Sequence, residues 1–96
     1  MRRVLAAAIA GVWIAAASVA SAEPPAGAAA CSGCHPSAAG GPSPVTRLAG
    51  RDRAEIIKAM QDFRSGARAG TVMDRIAKGF TDAEIQAIAA WYAAQR

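Results

Sequence analysis

Two cysteines three positions apart, followed at once by the only histidine of the chain, are the residues best equipped for chemistry: Cys31-Ser32-Gly33-Cys34-His35. The spacing is C-x-x-C-H, an attachment signature for c-type haem. On one helical turn, two such thiols can reach both vinyl groups of a single porphyrin and form thioether bonds. The adjacent imidazole then points at the iron. The motif predicts one covalent haem c, with Cys31 and Cys34 as the thioether residues and His35 as the proximal iron ligand. Three other readings compete. An exported chain could join the two cysteines in a disulfide. A thioredoxin-like dithiol would need a βαβ surround, which the sequence lacks. A zinc site would need four good ligands, and two cysteines with one histidine do not supply them.

With a single histidine, bis-histidine ligation within one chain is excluded. A methionine thioether is the natural sixth ligand. Beyond Met1 the chain offers Met60 and Met73. Met60 falls in register with Ile56 and Phe63, the pattern of a core or haem-edge residue. Met73 follows a loop, Gly66 to Gly70, from which a side chain can approach the open face of the iron, and this favours Met73 as the distal ligand. A His/Met pair fills both axial positions and leaves no room for substrate, so the implied role is one-electron transfer, not catalysis by this chain alone. An open or displaceable Met73 position would instead point to a haem enzyme or ligand sensor.

The elements that must position these residues belong to one small domain. The chain has 96 residues, 53% hydrophobic and 19% charged. Met1-Arg2-Arg3, the uncharged stretch Val4 to Ala20 and the small residues Ala20-Ser21-Ala22 have the order of a secretory signal peptide cleaved before Glu23. Residues 1–22 are thus expected to be the leader and 23–96 a monohaem domain in the periplasm, with no membrane span after cleavage. A retained anchor is the competing reading. Without the leader, nine basic and seven acidic residues leave a charge of +2 in place of +4, which supports no nucleic-acid partner. Only fourteen large apolar side chains remain, the rest being mostly alanine. A core this thin needs a staple, and a porphyrin would fill it.

No alternating strand pattern, repeat or phosphate loop is present, so the domain is expected to be all-α, with about three main helices plus short helical turns packed around one haem. Ala28 to Ala30 extends a short helix into Cys31. Pro36 to Pro44 is loop. Asp52 to Ser65 reads as a helix with a capping-box-like start at Asp52 and Glu55, an apolar face of Ile56, Ile57, Met60 and Phe63, and Gly66 as its stop. Val72 to Lys78 forms a short helix ended by Gly79. Thr81 and Glu84 cap a last helix to about Ala94, with Ile85, Ile88, Ala89 and Tyr92 on one face. Trp91 and Tyr92 read as packing residues where the terminal helices cross near Gly27 to Ala30, with an electron-relay role as the alternative. The Pro44 to Arg47 backbone is the expected source of a carbonyl for the second nitrogen of His35. Arg47 and Arg51 are candidates for the haem propionates, and Arg64, Arg68, Arg75 and Lys78 for a basic haem edge facing an acidic partner. Solvated surface positions are the plain alternative for each.

These residues resemble a class I monohaem cytochrome c, and more closely the cytochrome subunit of flavocytochrome c sulfide dehydrogenase. The resemblance rests on Cys31 to His35, Leu48-Ala49-Gly50-Arg51, Asp62-Phe63-Arg64-Ser65-Gly66, the run Thr71 to Phe80, and Thr81-Asp82-Ala83-Glu84-Ile85. It implies that Met73 is the distal ligand. It also implies a flavin-containing dehydrogenase subunit that oxidises sulfide, passes electrons singly to the haem, and is relieved by a downstream redox carrier. The chain departs from the family pattern in three ways: Pro36 stands where glycine usually follows the histidine, the loop to Leu48 is compressed, and Thr46 stands where proline usually precedes the leucine by two. Other function classes remain: a free c-type electron shuttle for another dehydrogenase, or a haem-free thiol–disulfide module. Replacing Cys31 by Ala (C31A) is expected to abolish or impair covalent maturation, checked by haem staining of the denatured protein; an unaffected red product would contradict the motif reading.

Overall fold

Among the described residues four helices form, α1 Ala28–Cys31, α2 Arg53–Ser65, α3 Met73–Ala77 and α4 Asp82–Ala93, with side-chain caps starting α2 and α4. The structure, a computed structural model, describes residues 23–36 and 42–95, and among the described residues there is no strand. The expected leader, residues 1–22, and residues 37–41 of the expected loop lie outside the described residues.

The helix boundaries follow from local chemistry. At the start of α2 the Asp52 carboxylate accepts from the Glu55 backbone N–H at 3.1 Å. The expected box is only half made, because the Glu55 carboxylate lies 3.6 Å from Arg51 instead. Gly66 ends α2 with φ 84°, and its N–H donates to Phe63 O. That left-handed geometry suits glycine, which has no Cβ to clash. At α4 the box is complete: the Glu84 N–H donates to Thr81 Oγ1 and the Thr81 N–H to Glu84 Oε1, each at 3.2 Å. Helix α3 is one residue shorter at each end than the spacing predicts, with Val72 and Lys78 as its caps.

Helix α4 supplies most of the core. Ile85, Ile88, Ala89 and Tyr92 are buried on its inner face, joined by Ile56 of α2, Ala28 of α1 and Ala77 of α3. Three of these seven are alanines, so the backbones approach closely and little apolar area is removed from water. Each buried isoleucine is worth about 1.5–3 kcal/mol. Three large apolar side chains, Val45, Val72 and Ile76, are exposed. All three border a cleft described below, where their apolar surface has no protein neighbour to cover it.

The crossing of α1 and α4 is tight. The Tyr92 hydroxyl donates to Ala28 O at 2.5 Å in a buried position. The Trp91 and Tyr92 rings stand edge to face, 4.9 Å between centroids. Gly27 has φ 85°, and a Cβ there would lie 2.5 Å from Phe80 Cε1. The turn before α2 docks on the end of α4 through the Gly50 N–H to Tyr92 O, 3.0 Å. No helix among the described residues is long and apolar enough to cross a membrane. Gly27→Ala is expected to cost about 2–4 kcal/mol, from left-handed strain plus overpacking against Phe80, measured as a lower urea midpoint with an unchanged slope.

Candidate functional site

Helix α1 ends on the first cysteine, and the chain continues winding through the histidine. The Cys34 and His35 backbone N–H groups both donate to Cys31 O, at 3.2 and 2.9 Å, and the Gly33 N–H donates to Ala30 O at 3.3 Å. The motif is therefore one coiled segment at the C-terminal end of α1, the turn that the two-thiol spacing requires. Both thiols are free, Cys31 partly buried and Cys34 exposed. Among the described residues, no group of three or more His, Cys, Asp and Glu side chains is placed to hold a metal ion.

This segment forms one wall of an open cleft of about 1010 Å³, which also borders Met60, Val72, Met73 and Phe80. That size is at the upper end of the range of roughly 300–1,000 Å³ found for small-molecule and cofactor sites. The cleft brings together the thioether and iron-ligand candidates Cys31, Cys34, His35 and both methionines beyond Met1. Helix α2 contributes Met60 from its middle, and α3 contributes Met73 as its first residue.

The histidine ring is oriented from behind. His35 Nδ1 is hydrogen-bonded to the carbonyl oxygen of Thr46. A carbonyl can only accept, so Nδ1 carries the proton and Nε2 keeps its lone pair in the neutral ring. This is the tautomer a metal-ligating histidine needs, with an acceptor that fixes the ring. The acceptor comes from the Pro44 to Arg47 backbone, as expected. The departure at position 46 is immaterial to it, since any residue supplies a main-chain carbonyl.

The residues present fit a haem. Val45, Val72 and Ile76, with relative exposures of 36%, 52% and 42%, present uncovered apolar surface at the borders of the cleft. An apolar macrocycle lying there would cover it, while two thiols and an oriented imidazole stand on the same wall. Burial pushes the Cys31 thiol above its ordinary value. The Tyr92 hydroxyl is itself raised, first by its own burial.

The basic residues divide. Arg51 borders the cleft but faces Glu55. Arg68 lies over the Phe63 ring at 4.7 Å and also borders the cleft. Arg75 and Lys78 are exposed on and after α3, and Arg47 is exposed before α2. Arg64 does not belong to a free basic edge: its guanidinium donates to Phe80 O at 3.2 Å and pairs with the Asp82 carboxylate. Sequence reasoning missed this because its partners lie 16 and 18 positions away, outside any local pattern. It also missed the approach of Gly70 to Phe63, where a Cβ would lie 3.0 Å from Phe63 Cε1. A glycine between a basic loop and Met73 was the available signal.

The helical fold agrees with that of a small cytochrome c. The chain is 39% identical over 62 residues to the cytochrome subunit of sulfide dehydrogenase of Chlorobaculum tepidum, covering 65% of this chain and 56% of that one. It is 40% identical over 62 residues to cytochrome c-552 of Acidithiobacillus ferridurans, covering 65% and 27%. It is 43% identical over 65 residues to the thiosulfate dehydrogenase electron acceptor of Stutzerimonas stutzeri, covering 66% and 30%. The chain thus spans between about a quarter and just over half of the length of these curated relatives. No family model matches it.

In the haem-free chain, alkylation at neutral pH is expected to modify exposed Cys34 before Cys31, whose raised value keeps it as the less reactive thiol. Timed iodoacetamide labelling with peptide mass mapping checks the order.

Proposed function

We propose that this chain is an exported one-electron carrier, a c-type cytochrome that accepts electrons from a dehydrogenase acting on a reduced inorganic sulfur compound. The observation that carries the reading is the His35 ring, held through Nδ1 by Thr46 O in the same cleft as Cys31, Cys34 and Met73. A haem c, when bound, supplies an iron centre that cycles between its ferric and ferrous states. Cys31 and Cys34 would hold it through thioethers, His35 Nε2 would bind one face of the iron, and Met73 the other. With His35 and Met73 both holding the iron, the chain would leave no position there for substrate. The same ligands serve both oxidation states, so electron transfer needs little rearrangement.

The donor class is carried by the relatives. One is named as a subunit of sulfide dehydrogenase and another as an electron acceptor of thiosulfate dehydrogenase. A flavin-containing subunit fits the first name, since a flavin can take two electrons and release them singly. A freely diffusing acceptor is the second reading, favoured by the second name. Residues 1–22 would direct export to the periplasm, where a downstream redox carrier reoxidises the protein.

The spectrum of protein exported from a haem-c-maturing host tests the reading. A low-spin c-type spectrum with the weak far-red band of a methionine–iron(III) bond is expected. Covalent haem without the band would mean an open site, and colourless protein would end the cytochrome reading. Co-purification with a flavin-bearing chain separates a subunit from a shuttle. Met73→Ala is expected to abolish the far-red band and lower the reduction potential. Met60→Ala is expected to keep both and only lower the stability, read as a lower urea midpoint. The reverse pattern would exchange the roles of the two methionines.

A further inference from the structure

The last turn of α2 holds both ends of the segment that carries Met73. Helix α3 has five residues and no side-chain N-cap. A single isolated turn is not stable by itself, so α3 takes its place from whatever anchors its flanks. At its N-terminal flank, Gly70 packs against the Phe63 ring, and Arg68 lies over that ring. The Arg68 N–H also donates to Asp62 O at 3.1 Å. At its C-terminal flank, the next residue along α2, Arg64, donates from Nη1 to Phe80 O at 3.2 Å while Nη2 pairs with Asp82. The guanidinium is partly buried, with 30% of the side chain exposed. Its fork spans the junction between α3 and α4 and engages one partner with each end.

We propose that Arg64 is a positioning residue that keeps α3, and with it Met73, seated over the cleft. The inference rests on the assignment of Met73 as the distal ligand. Arg64 does not border the cleft, and its bonds run to Phe80 and Asp82. It acts by fixing the Phe80 carbonyl and the first turn of α4, so that the short helix between Phe63 and Phe80 cannot swing outward. Lysine keeps the charge at this position but not the two-armed geometry. A second polar link between α2 and α4, Arg53 Nη2 to Gln86 Oε1 at 3.1 Å, sits at the opposite end of α2 from Arg64 and provides the comparison.

The test uses the full haem-loaded protein and follows two signals on heating: the far-red methionine–iron band and the far-ultraviolet helix signal. In R64Q and R64K the band is expected to fade well below the unfolding temperature, while in R53Q the band and the helix signal are lost together. Native-state amide exchange at Ile76, whose N–H donates to Val72 O, is expected to be about tenfold or more faster in R64Q than in R53Q. Coincident loss of band and helix signal in R64Q, or equal Ile76 exchange in R64Q and R53Q, overturns the inference while leaving the ligand assignment intact. A parent protein without the far-red band overturns both.

Discussion

A buried hydrogen bond from the Tyr92 hydroxyl to the Ala28 carbonyl joins the helix that begins the described chain to the helix that ends it. The rest of the structure depends on that crossing. Its geometry requires a glycine at position 27, where Phe80 and Ile88 leave no room for a side chain. It brings Cys31, the last residue of α1, against the core, and the Tyr92 hydroxyl is close enough to influence the thiol. The segment that would take the cofactor is thus mounted on the most fully buried helix of the molecule.

The opposite side of the molecule is built differently. Helices α2 and α3 and the segment around Val45 turn apolar side chains toward a cleft, so much of the large apolar surface of the chain lies outside the protein core. A large apolar group lying in the cleft would remove that valine and isoleucine surface from water. Protein core and cofactor then act as two halves of one hydrophobic interior, with α4 serving the first and α2 bordering both.

Much of this was legible in the sequence because the decisive signals are local. The C-x-x-C-H spacing, the Thr81–Glu84 box, the Gly66 stop and the Ile85, Ile88, Ala89, Tyr92 face each lie within one or two helical turns, and each has the form its pattern predicts. The Pro44 to Arg47 backbone does supply the acceptor for His35, at Thr46. What escaped was non-local. Val45, Val72 and Ile76 look like core residues to any rule that counts hydrophobicity, until the fold sets them along an open cleft. Arg64 looks like a surface charge until the fold brings Phe80 and Asp82 to it.

The acceptor for His35 is a main-chain atom, and this sets which mutations the site can tolerate. A side-chain acceptor would be lost by one unlucky codon change. The Thr46 carbonyl survives any substitution that leaves the backbone path alone, so the identity of residue 46 is free to drift. The burden of selection passes from residue type to the number of residues between His35 and Thr46. Over evolutionary time, orientation of the ring is guarded against point mutation and exposed to insertion and deletion.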